Sequence, residues 1–416
     1  MIPDTCRVQI PRSDRNLLVR AFGAVLLGSF AVVSVIGASP AVAAPIYPLP
    51  DPDPFYAAPG DISGKSPGEV LETRKMAPLP MFPGSTVTLV KFRSADSTGR
   101  PIAATTTVLT PQGRAPGGPL LSYQHIINGL GTRCAVSRVL YSPDPTLQVR
   151  EAAALNAVLV RGWSVALPDH LGPTSAYGAA RLGGQITLDG IRAVRAAGLG
   201  LRDSRVAMAG YSGGGMATAW AAALAPDYAP ELDIAGAAIG GVPMNLVRMI
   251  EAVNTGPHPA FGLVMAAGIG LEREYPNRFP ISESMNTRGL LTRNTLANGC
   301  VNEILATGAG RSVAEFAGSM SLADSPDARA VLEENSLELF DGVPDMPVFE
   351  WHSATDPLIP VDSIRRTNQR YCAAGVALQA ELTVSPEHLS AAVLGLPAVM
   401  TWLEGRFRGD PAPSNC

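Results

Sequence analysis

Residues 204–225 constrain the chain more than any other stretch. Ser204 to Ala209 (SRVAMA) is a short apolar run of strand type. Gly215 to Ala225 (GMATAWAAALA) is rich in strong helix formers. Between them stands Gly210-Tyr211-Ser212-Gly213-Gly214, which fits the pattern G-x-S-x-G. A strand that turns into a helix over so few residues holds the serine at a sharp bend, and only small residues fit beside it. Glycines at 210 and 213 let strand and helix approach closely. The Gly213 N–H is then placed beside the hydroxyl, and the helix N-terminus adds positive potential there. The five letters alone are a weak signal, because a glycine-rich strand-to-helix turn without chemistry can carry them. The strand before and the helix after make them informative.

The rest of the chain repeats the same alternation. Strand patterns fall at 85–95, 102–109, 119–124, 163–168, 204–209, 234–239, 347–352 and 377–384. Helix patterns fall at 147–161, 185–198, 214–225 and 389–406. Ser97-Thr98-Gly99-Arg100 joins the first two strands as a hairpin. Later strands are separated by helices, which requires parallel pairing with right-handed crossovers. The predicted class is α/β, a mostly parallel sheet with an antiparallel start. Residues 241–345 break the rhythm over a span too long for an ordinary connection, so they read as an inserted, mostly helical cap. The expected layout is a signal at 1–43, an extended arm at 44–80 that is Pro-rich over 45–62, a core at 81–240, the cap at 241–345 and the rest of the core at 346–416.

Composition removes other classes. The chain holds 42 Gly and 37 Pro, yet 46% of its residues are hydrophobic and 16% charged. That is too apolar for a disordered chain, and no three-residue glycine repeat suggests collagen. Its 32 basic residues are nearly all arginine and form no basic run, so nucleic acid is not an expected partner.

The N-terminal segment reads as an address. Arg7, Arg12, Arg15 and Arg20 precede an apolar run from Ala21 to Ala38, followed by small residues at Ala41 and Ala43. This is the pattern of a secretory signal cut after Ala43. An uncleaved anchor is the competing reading, since the run is just long enough to span a bilayer. The small-residue exit favours cleavage, which leaves no stable membrane anchor and places the protein outside the cell. Cys134, Cys300, Cys372 and Cys416 then remain, an even number that suggests two disulfides. Spacing alone does not choose among the three connectivities, and buried free thiols are the alternative.

A serine hydroxyl needs a base, and the base needs an orienting acid. In this architecture the chain order is serine, acid, histidine. Of five histidines, His388 follows the last strand and precedes the C-terminal helix, in a loop at the strand edge where Ser212 should also lie. His352 is the runner-up. Asp356, in the turn Ser353-Ala354-Thr355-Asp356-Pro357, follows strand 347–352 and is the expected acid, ahead of Glu350 and Asp362. A second oxyanion donor is expected from the loop after the third core strand, as a backbone N–H near His125. His170 reads equally as a pocket residue or a structural one, and Asp169 as a residue that fixes loop geometry. No His/Cys/Asp set has metal spacing, and serine acyl chemistry needs neither metal nor cofactor.

These residues resemble the secretory lipases typified by yeast lipase A, with many relatives in actinobacteria. The resemblance rests on Pro54-Phe55-Tyr56, Pro67-Gly68-Glu69-Val70-Leu71, Tyr123-Gln124-His125, Cys134-Ala135, Pro168-Asp169-His170-Leu171-Gly172-Pro173, the Ser212 turn and the closing Pro411-Ala412-Pro413-Ser414-Asn415-Cys416. It implies an α/β-hydrolase with a helical cap, acting on lipid or ester substrates, acylglycerols above all, at a lipid–water interface. It implies Ser212 as nucleophile, His388 as base, Asp356 as orienter, and disulfides Cys134–Cys300 and Cys372–Cys416. His125 stands where the yeast enzyme has an acidic residue, a change that a backbone donor would survive. The rival expectations are a carboxylesterase or acyltransferase for short soluble esters, and an inactive secreted binding protein of the same fold.

Overall fold

The strand patterns assemble into one nine-stranded sheet in the order β1-β2-β3-β5-β4-β6-β7-β8-β9. The computed structural model describes residues 43–126, 129–253, 256–318 and 325–416. The strands are β1 (Val70–Met76), β2 (Ser85–Ala95), β3 (Pro101–Pro111), β4 (Leu120–Gln124), β5 (Ser164–Pro168), β6 (Val206–Tyr211), β7 (Ile234–Gly240), β8 (Val348–Ser353) and β9 (Leu378–Thr383). The pairs β1–β2, β2–β3 and β3–β5 are antiparallel, and every pair from β5–β4 to β8–β9 is parallel. The N-terminal signal expected from the sequence lies outside the described residues apart from its last position. Among the described residues no helix is long and apolar enough to cross a membrane.

Alternation along the central strands sends side chains into two cores. Leu120, Ala166, Val206 and Met208 pack beneath the helices Ala180–Ala196 and Gly213–Tyr228. Leu121, Val165, Ala207 and Ala209 face the other layer, with Leu155 of the helix Ala152–Val160 and Trp402 of the helix Leu396–Arg408. The chain therefore leaves β4 over one face and β6 over the other. That divergence is a topological switch point, and the crevice it opens at the strand C-terminal ends is where ligands bind in such sheets.

The structure corrects several sequence expectations, among them the helix expected at 147–161, which begins at Ala152. The extended arm contains β1, a half-exposed edge strand with an irregular register between Val70 and Glu72. Its charged, weakly alternating sequence (VLETRKM) hid it. The helix expected at 185–198 begins five residues earlier, at Ala180. The single helix expected at 389–406 is two, His388–Leu394 and Leu396–Arg408, with Gly395 between them and Pro397 in the first turn of the second. His388 is thus the first residue of a helix rather than part of a loop. The Glu387 carboxylate accepts the Leu389 and Ser390 amides and starts the helix one residue earlier than the pattern suggested.

Between β7 and β8 the chain forms six α-helices and no strand among the described residues. This insertion has its own small core, where Phe261, Met265, Ile269, Leu296, Ile304 and Phe316 close around Leu130 of the main body. The disulfide Cys134–Cys300, with an S–S distance of 1.97 Å, crosses the same boundary. The disulfide Cys372–Cys416 holds the C-terminal tail beside β9, where the Asn415 N–H donates to the Leu378 carbonyl and the Asn415 side chain exchanges hydrogen bonds with the Ala380 backbone.

Candidate active site

Ser212 stands between β6 and the helix Gly213–Tyr228 with φ 54° and ψ −122°, a conformation a residue with a Cβ rarely adopts. Two glycines make room for it. A Cβ on Gly210 would lie 2.5 Å from the Gly214 carbonyl oxygen, and one on Gly214 would lie 2.0 Å from the Gln124 carbonyl oxygen. The first contact seats the helix on its strand. The second lets the end of β4 run directly past the turn. Gly213 lines the cavity beside Ser212.

The residues expected to act together are brought together. His388 Nε2 lies 2.8 Å from Ser212 Oγ, and His388 Nδ1 lies 2.6 Å from Asp356 Oδ2. Asp356 Oδ1 accepts the amides of Leu358 and Ile359 at 2.9 and 3.0 Å. Burial works to raise the Asp356 pKa. The hydrogen bond and charge of His388 and the two amides outweigh it and hold the carboxyl below the usual range. The Tyr211 hydroxyl donates to the His388 carbonyl at 2.5 Å, and its ring lies 5.0 Å from the imidazole. The imidazole is thus fixed at its backbone and at the Asp356 carboxylate.

The sequence competitors lie elsewhere. His352 contacts both Glu350 oxygens at 2.9–3.0 Å on β8, and Asn368 donates to the same carboxylate. Asp362 is exposed and pairs with Arg365. His125 is buried, with Nδ1 2.8 Å from Glu151 Oε1. The residue of that loop that faces the cavity is Ile126. His170, open between two readings in the sequence, does not line the cavity; its Nε2 hydrogen-bonds the His125 carbonyl at 2.8 Å. Asp169 accepts the amide and hydroxyl of Ser137 at 3.0 and 2.6 Å, and burial raises its pKa to about 6. Glu151 escaped the sequence reading. It sits 25 residues beyond the loop it contacts, with no motif around it.

Above Ser212 and His388 opens a cavity of about 350 Å³, walled by apolar side chains from both the sheet edge and the insertion. Phe261, Leu263, Val264 and Leu271 of the insertion line it together with Ile126, Met216 and Leu358 of the main body. A serine hydrogen-bonded to a histidine at the floor of an apolar cleft has the geometry to attack an uncharged carbonyl attached to a hydrocarbon chain.

Fold and site together define an α/β-hydrolase. The Secretory lipase family matches residues 142–415, and the chain belongs to it. It is 32% identical over 391 residues to Lipase 4 of Candida albicans, covering 88% of this chain and 83% of that one. It is 33% identical over 379 residues to a Mycobacterium tuberculosis protein named "Probable inactive lipase MT1628", covering 87% and 83%. The structure of Candida antarctica lipase A in its closed state superposes with a TM-score of 0.82 at 27% identity, covering 88% of this chain and 90% of that one. The chain is a carboxylic ester hydrolase of the lipase type.

Proposed function

We propose that the chain is a serine-triad lipase that hydrolyses acylglycerol esters through an acyl-enzyme. The observation that carries this reading is the Ser212–His388–Asp356 hydrogen-bond chain at the floor of the apolar cavity. Ser212 Oγ attacks the ester carbonyl while His388 Nε2 takes its proton. Asp356 holds the imidazole in the required tautomer and stabilises its cation. The N–H groups of Gly213 and His125 receive the oxyanion, His388 returns the proton to the leaving alcohol, and water then repeats the sequence on the acyl-enzyme. The walls Phe261, Leu263 and Val264 take up the acyl chain and keep water from it.

Fluorophosphonate labelling of the purified protein tests the nucleophile. The adduct should map to Ser212, and Ser212→Ala should lose both label and esterase activity while unfolding at the same temperature. Activity retained in that variant refutes the assignment. Substrate class is tested by profiling esters from butyrate to palmitate, with the rate expected to rise with chain length. A preference for butyrate assigns a soluble carboxylesterase instead, and ester formation with added alcohol an acyltransferase. Export is part of the same proposal. It draws on the N-terminal pattern, the family and the two disulfides. N-terminal sequencing of the extracellular protein should read from Ala44.

A further inference from the structure

Glu151 has no part in the chemistry above, yet its carboxylate is nearly buried, with 9% of the side chain exposed. Burial of an anion is unfavourable unless specific partners compensate it. Here Oε1 accepts the Ile126 backbone N–H at 3.0 Å and lies 2.8 Å from His125 Nδ1. On the other side of the same residues, His170 Nε2 hydrogen-bonds the His125 carbonyl at 2.8 Å. A carbonyl oxygen only accepts, so His170 is the donor.

The His125 carbonyl and the Ile126 N–H are the two ends of one peptide unit. Glu151 therefore holds one end and His170 the other. A peptide gripped at both ends cannot rotate about its flanking bonds without breaking both hydrogen bonds. The Ile126 N–H is taken by Glu151; the donor assigned to this loop under the serine-triad reading is the His125 amide, on the peptide that precedes the clamped one. The Gln124 backbone on the far side is stopped by the serine turn, 2.0 Å from where a Gly214 Cβ would lie. The loop is fixed from three directions beside the nucleophile.

We propose that Glu151 and His170 are positioning residues that clamp the 125–126 peptide and so fix the backbone of the loop that carries the His125 N–H, the donor the reading above gives to the oxyanion. The proposal rests on the serine-triad reading above. Neither residue touches substrate; both act through the loop. Loss of one oxyanion donor typically lowers kcat by about 10²–10³-fold, and a misaimed donor approaches that limit.

The test measures kcat per active site, with sites counted by exhaustive fluorophosphonate titration, for Glu151→Ala, Glu151→Gln and His170→Ala. Glu151→Ala and His170→Ala should each lose at least tenfold in kcat with KM within about twofold of wild type, and affinity for a boronate transition-state analogue should fall in parallel. Glu151→Gln keeps a carbonyl to accept the Ile126 N–H and should recover most of the rate. A kcat per titrated site within twofold of wild type in both alanine variants overturns the clamp. If Glu151→Ala does not fold, His170→Ala alone decides by the same criterion. Wild-type protein that takes no label overturns the serine-triad reading itself, a distinct result.

Discussion

Ser212 carries the strain of its own turn. A non-glycine residue at φ 54° and ψ −122° costs about 1–3 kcal/mol, and glycine at the same position avoids most of that. Ser212→Gly should therefore raise the free energy of unfolding by about 1 kcal/mol while abolishing ester hydrolysis. Ser212→Ala keeps the Cβ and should show no such gain, so comparing the two by urea unfolding isolates the strain. The sequence made Ser212, Asp356 and His388 legible because local pattern marks each one: a glycine-bracketed turn, a Pro-stiffened turn after a strand, and a histidine before the last helix. Glu151 and His170 were not legible as partners. Their role is a meeting of loops 25 and 45 residues from what they hold, and no local pattern encodes it.

The turn after β5 is where pH should be felt. Burial lowers the His170 pKa to about 4, so the folded protein keeps it neutral where an unfolded chain would protonate it. Stability from this residue is present above about pH 6.5 and is lost as pH falls toward 4, by roughly 3 kcal/mol in full. Asp169 works the other way. Its pKa is raised to about 6, so the folded state gains stability as pH falls from there toward the unfolded value near 3.8. The two adjacent residues nearly offset each other. His170→Gln should make stability decline less between pH 7 and 4 than in wild type, and Asp169→Asn should make it decline more, both read from melting temperature against pH. Most strands and helices were legible from their periodicity. β1 was not, because an edge strand that is half exposed and charged needs no apolar alternation.

At the scale of the molecule, one side chain joins parts the sequence leaves far apart. The Arg273 guanidinium donates to the carbonyls of Ile46, Leu130, Thr174, Ser175 and Ala297, at 2.7–3.1 Å. These belong to the N-terminal arm, two loops of the main body and the insertion. Burial lowers its pKa to about 10, which still leaves it charged at neutral pH. Arg273→Met would strand buried carbonyls at a cost of about 1–3 kcal/mol each, so a loss of at least about 4 kcal/mol is expected in guanidinium unfolding. The resemblance implied the Cys134–Cys300 tie, which the structure contains, but the anchorage by Arg273 was not legible, since an arginine in a helical pattern looks like any surface arginine. The disulfide Cys134–Cys300 spans the same boundary with a sequence separation of 166. Beyond the N-terminal segment, Cys300 is the next cysteine to be synthesised after Cys134, and Cys416 the next after Cys372. At about 5–20 residues per second, Cys134 waits on the order of ten seconds or more for a partner. The first partner to emerge is the native one. An oxidant that joins cysteines in the order of their birth would leave this protein with nothing to reshuffle.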